Sequence, residues 1–206
     1  MLNISILKED ESYTFRSYFE MPYEPDEILA QFGYRLEMGE WEWPAAPAPP
    51  QTQTLKERIR QLLPLVSLSS ETARRELLVA PVLTEVALHC RVPLRLEYPL
   101  MVNNWLKGSL DYLMRGKNTL LVVEAKKDDL TRGFVQMAVE MIALAQVEQH
   151  PQIYGAVTIG EVWRFGKLDR EGKTIFQDTY LLQVPGDLDL LVGRLVGVVA
   201  GSDLSS

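Results

Sequence analysis

The sequence predicts an α/β domain with a mixed central sheet flanked by helices. Apolar segments with the two-residue period of strands alternate with helical segments, in the order helix, three strands, helix, further strands, helix. The strand predicted over 120–126 is almost wholly apolar until its end, as expected at the centre of a sheet. With 206 residues, 47% of them hydrophobic, the chain is large enough for one substantial core.

The chain is predicted to divide into an N-terminal extension with a proline-rich linker (1–50) and a main domain (55–206). In the extension, the alternation over 13–20 favours a strand, and two prolines introduce a short helix over 24–31. The stretch 44–54 holds four prolines among small and polar residues, which predicts a semi-rigid, solvated linker. The extension is therefore expected to be an appendage of the main domain.

The main domain begins with a helix over 55–63, which Pro64 ends. Ser69 or Ser70 is a suitable N-cap for a helix from Glu71 towards His89, and Pro81 is expected to kink it. The remaining predicted elements are strands over 94–102, 107–114 and 120–126, a helix over 129–149, strands over 153–159, 162–167 and 174–184, and a helix over 188–199.

Composition excludes several kinds of catalytic site. Two histidines and one cysteine are too few for a histidine- and cysteine-based zinc site. The sequence contains neither a Gly-x-Ser-x-Gly nucleophile motif nor a phosphate-binding Gly-x-x-x-x-Gly-Lys-Ser/Thr loop. The net charge of −7 means that binding to a nucleic acid would depend on a local basic patch and would weaken with salt.

A cytoplasmic location is expected from the cysteine content and the apolar runs. The single cysteine, Cys90, cannot form an internal disulfide, which favours a reducing compartment. The N-terminus lacks the basic stretch and apolar core of a signal peptide. The longest apolar runs are too short or too interrupted to cross a bilayer, so no membrane partner is expected.

A predicted hairpin brings two carboxylates together. If its turn is centred between Lys117 and Asn118, antiparallel partners have numbers that sum to 235, and Asp111 faces Glu124. Like charges directly opposed on a sheet repel, and apolar neighbours increase the penalty by removing water. A divalent cation such as Mg²⁺, which prefers oxygen ligands, would remove that repulsion.

Lys126 completes the predicted site. It lies two residues after Glu124, so the period of a strand places both side chains on one face. Two acids, a cation and an ammonium group can hydrolyse a phosphodiester, because the lysine can orient water and stabilise charge that develops on phosphate. The alternative is a charged cluster in which Lys126 merely neutralises Glu124.

The two strands resemble the PD-(D/E)xK nuclease superfamily, also called restriction-endonuclease-like. The segments KGSLDYL (107–113) and LVVEAKK (121–127) match its pattern of an acid near a strand end, then acid-x-lysine on the next strand. Asp111 corresponds to the first acid, Glu124 to the second and Lys126 to the lysine. Leu110 stands where the family's name-giving proline would be, although many members lack it. The resemblance covers residues 69–184 and implies a Mg²⁺- or Mn²⁺-dependent endonuclease acting on DNA, with RNA less favoured.

Further residues resemble the branch of type I restriction subunits. Gln136, ten residues after Lys126, stands where such members often have a glutamine that helps to hold the site; the alternative is a solvated polar stripe shared with Glu140. The superfamily commonly adds a glutamate from its first helix. A helical wheel places Glu76 on the apolar side, where a carboxylate is costly without a role, so Glu76 ranks first. Resemblance favours Glu71, and Glu85 is a distant third.

Three functional hypotheses follow from these residues. The first is an endonuclease, supported by basic residues expected near the site: Lys107, Arg115, Lys117, Lys126, Lys127 and Arg132. Their alternative explanation is ordinary solvated strand ends and turns. The second is a non-catalytic member of the same fold that binds DNA or regulates. The third is a subunit that cuts only as a homodimer or within a larger complex.

Overall fold

The described residues of the computed structural model (6–116, 120–126 and 128–201) form an α/β fold around a seven-stranded mixed sheet. The strands are β1 (Arg35–Gly39), β2 (Leu94–Met101), β3 (Lys107–Arg115), β4 (Leu120–Ala125), β5 (Gln152–Thr158), β6 (Val162–Asp169) and β7 (Thr174–Gln183). Their order across the sheet is β1-β7-β6-β5-β4-β3-β2. The pairs β1/β7 and β4/β5 are parallel and the others antiparallel, so the predicted mixed α/β class is confirmed.

Helices cover both faces of this sheet. They are α1 (Phe15–Glu20), α2 (Pro25–Ala30), α3 (Gln51–Leu62), α4 (Glu71–Arg74), α5 (Ala80–Cys90), α6 (Leu130–Val147) and α7 (Leu188–Ala200). One apolar core lies between the sheet and α1, α2 and α6, and the other between the sheet and α3, α5 and α7. Within the described part of the chain, every helix is too short or too polar to traverse a lipid bilayer.

The hairpin of β3 and β4 has the predicted register. Tyr112 pairs with Val123 and Met114 pairs with Leu121, so the numbers of the partners sum to 235. The turn itself lies outside the described residues. On its other side β4 pairs in parallel with β5, which makes β4 an interior strand and explains its apolar sequence.

The N-terminal extension is part of the fold, contrary to the predicted appendage. Residues 13–20, expected as a strand, instead form helix α1, with Phe15 and Tyr18 each 1% exposed. The alternation that favoured a strand came from aromatic residues that pack against α6 and against the loop after β2. Strand β1 then adds to the edge of the sheet beside β7.

The proline-rich stretch also differs from the prediction. It runs along helix α7, where Ala46 donates its backbone N–H to the carbonyl of Gly193 at 3.0 Å. A Cβ at Gly193 or Gly197 would lie 2.5 Å from the backbone of Ala46 or Ala45. Because these two glycines have no side chains, the backbone of the proline-rich stretch can lie directly against α7. The stretch therefore packs against the domain, contrary to the predicted solvated linker.

The predicted helix from Glu71 onwards is present but irregular. After α4 the backbone widens into a π-helical segment, Arg75–Val79, before α5 begins at Ala80. The Ser70 hydroxyl accepts the backbone N–H of Ala73, which confirms Ser70 as the N-cap. Pro81 lies near the start of α5, and the carbonyl that a proline there disrupts, that of Leu77 four residues earlier, falls within the π-helical segment. The helix is therefore interrupted in the turn before Pro81, where a kink was expected.

Candidate active site

A cavity of about 440 Å³ opens beyond the end of β4 and beside β3. Asp111, Glu124, Lys126 and Gln136 all line it, so the structure brings these four predicted residues together. Helix α1 forms part of its wall from one face of the sheet, and α4 with the following π-helical segment reaches it from the other. The arrangement depends on the β3/β4 register, which carries the two acids from different strands to one opening.

The carboxylates of Asp111 and Glu124 are both withdrawn from solvent. Asp111 is 14% exposed, and its Oδ2 accepts the backbone N–H of Ala125 at 2.9 Å across the strand pair. Glu124 is 1% exposed. Burial, and then repulsion from Asp111, raises the pKa of Glu124 to about 8, an effect that Lys126 only partly offsets.

Lys126 supplies a cation directly beside Glu124. Its Nζ lies 2.5 Å from Glu124 Oε1 and 5.1 Å from the ring centroid of Phe19 on α1. Burial lowers the pKa of Lys126, but the attraction and hydrogen bond of Glu124 outweigh that effect and raise it. The ammonium group is thus held in its charged form, suited to bind an anion or orient water.

Glycine at position 133 lets α6 approach this lysine. A Cβ there would lie 2.9 Å from Lys126 Cγ and 2.8 Å from Val157 Cγ2. Asp129 caps the helix by accepting the backbone N–H groups of Thr131 and Arg132. The start of α6 is therefore fixed against the end of β4, where the site lies.

Gln136 connects the site to the interior of α6. Its Nε2 donates to Glu124 Oε1 at 2.6 Å and to Glu140 Oε1 at 2.9 Å. Both residues of α6 are buried, so the alternative of a solvated polar stripe is wrong. Burial, followed by repulsion from Glu124, raises the pKa of Glu140 well above its usual value.

Several oxygens of this buried network accept no hydrogen bond from an N–H group of the described residues. They are Oε2 of Glu124, Oε1 of Gln136 and Oε2 of Glu140. Buried carboxylate and amide oxygens normally accept hydrogen bonds or bind a cation, and leaving one without a partner is costly. The carboxyl groups of Glu124 and Glu140 are hydrogen-bonded to each other, so in the metal-free protein one of them carries a proton that satisfies an oxygen of each. A cation bound at Glu124 would replace that shared proton.

The ranking of the first-helix glutamates is corrected by their positions. Glu71 lines the cavity with Asp111 and Glu124. Glu76, ranked first from the helical wheel, is exposed and lines a separate cavity against Leu55 and Arg58 of α3. The π-helical segment gives the reason, because its wider turn shifts the faces of the helix away from the uniform 100° spacing of the wheel.

The predicted basic residues are less clustered than the sequence suggested. Lys117 and Lys127 lie outside the described residues. Arg115 pairs with Glu148 near the far end of β3, and Arg132 lines a different cavity beside α2. Among the described members of the set, Lys126 is the one that lines the site.

Sequence reasoning missed four charged residues of the cavity. Arg16 comes from α1, Arg75 from the π-helical segment, Glu97 from β2 and Asp128 from the segment before α6. The guanidinium Nη1 of Arg75 lies 3.5 Å from Asp111 Oδ1. No motif marks these residues, and Arg16 could not be assigned to the site while the N-terminal segment was expected to stand apart.

Among the described residues, no three histidine, cysteine, aspartate or glutamate side chains lie close enough to hold a metal ion together. Neither Glu71 nor Glu76 therefore joins Asp111 and Glu124 in a ligand group. Two carboxylates still suit Mg²⁺, which is commonly held by one or two carboxylates with water and substrate phosphate completing its shell.

Comparison with protein-family models, with curated proteins and with solved structures gives no significant match.

Proposed function

We propose that the protein is a Mg²⁺-dependent phosphodiester hydrolase of the PD-(D/E)xK, restriction-endonuclease-like type, with DNA as its substrate. The observation that carries the proposal is the carboxylate of Glu124. It is buried, its Oε2 receives no hydrogen bond within the described residues other than the proton it can share with Glu140, and it lies on a cavity shared with Asp111 and Lys126. A buried acid with a strongly raised pKa in a cavity is typical of functional sites, and cation-assisted phosphate chemistry uses such a carboxylate directly.

Asp111 and Glu124 are the residues that would hold the cation. The buried carboxylate of Glu124 fits this role, since a cation would replace the proton it shares with Glu140 and would offset both its burial and the repulsion from Asp111. Bound Mg²⁺ would polarise the phosphate and lower the pKa of a coordinated water. Mn²⁺ suits the same oxygen ligands.

Side chains of the protein assist the remaining steps of the reaction. Lys126, held charged beside Glu124, orients the attacking water and stabilises the negative charge that grows on the phosphate oxygens. Water adds to phosphorus and one P–O ester bond breaks, which yields a phosphate monoester and an alcohol. The proton that the water loses balances the one that the leaving oxygen gains. Gln136 keeps the Glu124 carboxylate in place by its 2.6 Å hydrogen bond.

Nicking of supercoiled plasmid tests the proposal. The wild-type chain should nick the plasmid with Mg²⁺ or Mn²⁺ and stop in EDTA, and Lys126→Ala should lower the rate by about 10²-fold or more. Lys167→Ala is the matched control, because Lys167 lies on β6 and no residue of β6 lines the cavity. Absence of nicking by a folded wild-type protein would refute the hydrolase.

Calorimetric titration tests the cation separately. Mg²⁺ or Mn²⁺ should bind the wild-type chain, and Asp111→Asn should remove that binding. Equal binding by both proteins, or binding by neither, would contradict the assignment of Asp111 as a ligand.

The second candidate function is DNA binding or regulation without cleavage. It is favoured by the contacts of the acids, since Lys126 pairs with Glu124 and Arg75 approaches Asp111 without any metal. Salt-sensitive DNA binding without nicking would support this function.

The dependence of the nicking rate on protein concentration tests whether a homodimer is the active species. A rate that rises more steeply than in proportion to concentration would identify the homodimer.

A further inference from the structure

We infer that Arg75 binds the substrate phosphate with its guanidinium group and that Glu97 holds it in position for this purpose. The inference rests on the proposed function, since it assigns a phosphate-binding residue to the same cavity. Two local irregularities of the backbone, one at each residue, lead to it.

The first irregularity is the π-helical segment that begins at Arg75. A π-turn widens the helix locally and breaks its regular hydrogen bonding, and such turns occur frequently at functional sites. Here it interrupts the helix at the point where the chain passes the cavity. Arg74, one residue earlier, instead binds the carbonyl of Ile159 at 2.7 Å and the carboxylate of Glu161 at 3.0 Å. The two neighbouring arginines therefore serve different parts of the molecule.

The second irregularity is the backbone of Glu97, which has φ of +49° within strand β2. Residues with a Cβ adopt this left-handed region at a cost, and they persist there where the surrounding structure imposes it. The ladder with β3 pairs Leu96 with Tyr112 and Tyr98 with Leu110, and Glu97 lies between these pairs. Its side chain reaches the cavity and binds Arg75 Nη2 at 2.5 Å.

The guanidinium is thus fixed over the site from two sides. Its carbon lies 5.3 Å from the ring centroid of Tyr112, and Glu97 holds the other side. Toward the cavity it meets Asp111 Oδ1 at 3.5 Å, which is an ion contact too long for a good hydrogen bond. A planar guanidinium presents five donors and suits two oxygens of one phosphate.

An anion at this point depends on a bound cation, because five acids line the cavity with three basic residues: Glu71, Glu97, Asp111, Glu124 and Asp128 with Arg16, Arg75 and Lys126. Asp111 and Glu124 would be neutralised by a bound cation, which would release Arg75 from its contact with Asp111. Lys126 stands beside Glu124 and Arg75 beside Asp111, so the two cations flank the pair of acids. A phosphate group that enters the cavity would meet a positive group on either side of the acids.

Binding of thymidine 5′-monophosphate, a phosphate monoester of the expected product class, tests the inference without requiring turnover. Titration of the full chain in Mg²⁺ should show binding about tenfold or more weaker for Arg75→Ala, the loss typical of one charge-assisted hydrogen bond. Arg75→Lys should recover only part of the affinity, because an ammonium group cannot replace the planar fork. Arg95→Ala removes the same charge from the exposed part of β2 and should bind as wild type.

Melting curves and metal titration separate this role from a structural one. Arg75→Ala should still bind Mg²⁺ and should still melt in a cooperative transition, while its affinity for thymidine 5′-monophosphate falls. Equal nucleotide affinity for wild type and Arg75→Ala, or full recovery by Arg75→Lys, would overturn the inference. If the Arg75→Ala chain does not fold, Glu97→Gln is the second variant, because it keeps the guanidinium group and removes the carboxylate that holds it. Glu97→Gln should bind thymidine 5′-monophosphate more weakly than wild type. An unchanged affinity would refute the role of Glu97. If the wild-type chain does not nick plasmid but still binds thymidine 5′-monophosphate through Arg75, the proposed hydrolase is refuted and the phosphate-binding role of Arg75 stands.

Discussion

At the scale of one residue, the burial of the Glu124 carboxylate lowers the stability of the metal-free protein. A carboxylate that is 1% exposed has lost its water, and its Oε2 receives no hydrogen bond within the described part of the chain other than a proton shared with Glu140. Protonation relieves this penalty, which is why the pKa rises to about 8 from its usual 4.5. The metal-free protein therefore binds a proton more tightly when folded than when unfolded.

The sign of the pH dependence follows from that difference. Since the pKa of Glu124 is raised in the folded state, its ionisation destabilises the fold progressively as pH rises from about 4.5 to about 8. Glu124→Gln keeps the size of the side chain and cannot ionise. In EDTA, we expect Glu124→Gln to melt above wild type by roughly 3–6 °C at pH 8 and by clearly less at pH 5.5.

Thermal melts across this pH range measure the effect. Glu57→Gln is the control, since Glu57 is exposed on α3 and its substitution changes the net charge equally. Parallel melting profiles for wild type and Glu124→Gln would show that burial of Glu124 does not destabilise the metal-free fold.

At the scale of elements, α6 owes its position to glycines on the strands beneath it. Gly155 of β5 and Gly166 of β6 are directly paired across the sheet. A Cβ on Gly155 would lie 2.7 Å from Met137 Sδ, and one on Gly166 would lie 2.7 Å from Phe134 Cε2. The missing side chains leave the space that these two residues of α6 fill.

Gly166→Ala is expected to destabilise the protein by about 1–3 kcal/mol, since the buried ring of Phe134 must shift to admit the methyl group. Denaturant unfolding measures the change in the free energy of unfolding. Gly186→Ala is the matched control, because its Cβ would meet only the carbonyl of Gln183 at an ordinary 3.7 Å. Equal stability of the two variants would mean that α6 is not packed as closely as described.

Elements with regular patterns were predictable and irregular ones were not. The β3/β4 register followed from turn chemistry and alternation, and it placed Asp111, Glu124 and Lys126 on one cavity. The position of Glu76 was wrong because a helical wheel assumes uniform turns; Pro81 marked an interruption of the helix but did not indicate that it would widen into a π-helical segment. Arg75 and Glu97 escaped detection for a related reason, since irregular backbone brings them together from distant parts of the chain.

At the scale of the whole molecule, the N-terminal segment belongs to the same folding unit as the site. Phe15 is buried against Gly108, where a Cβ would lie 2.8 Å from its ring. Tyr18 donates its hydroxyl to the carbonyl of Trp105 at 2.5 Å. Since Arg16 and Phe19 of the same helix line the cavity, loss of this packing would remove a wall of the site.

Phe15→Ala should therefore lower the free energy of unfolding of the whole chain by about 3–5 kcal/mol, the cost of deleting a buried ring. Chemical denaturation followed by tryptophan fluorescence measures it. Tyr23→Ala, at an aromatic residue that is 41% exposed, should change stability by less than about 0.5 kcal/mol. A Phe15→Ala chain that unfolds with an unchanged transition would instead make the segment an independent appendage.

The overall charge sets how a nucleic acid can bind. With a net charge of −7, the protein repels phosphate except where positive charge concentrates. In the cavity Arg16, Arg75 and Lys126 stand among five acids, so phosphate binding there depends on the cation at Asp111 and Glu124. Each neutralised phosphate contributes about −0.9 to the slope of log affinity against log salt, so three contacts predict a slope of roughly −3 for duplex DNA.

Fluorescence anisotropy with a labelled duplex over a NaCl series measures this slope, with Ca²⁺ in place of Mg²⁺ so that a cation can occupy Asp111 and Glu124. A gel of each sample checks that the duplex stays uncleaved. Arg75→Ala should make it shallower by about one unit, because one phosphate contact is lost, and Arg95→Ala should leave it unchanged because Arg95 lies outside the cavity. A slope near −6, or one insensitive to Arg75, would mean that DNA binds an extended basic surface elsewhere on the molecule. The shallow slope is the consequence of an acidic protein that concentrates its phosphate contacts at one recessed site.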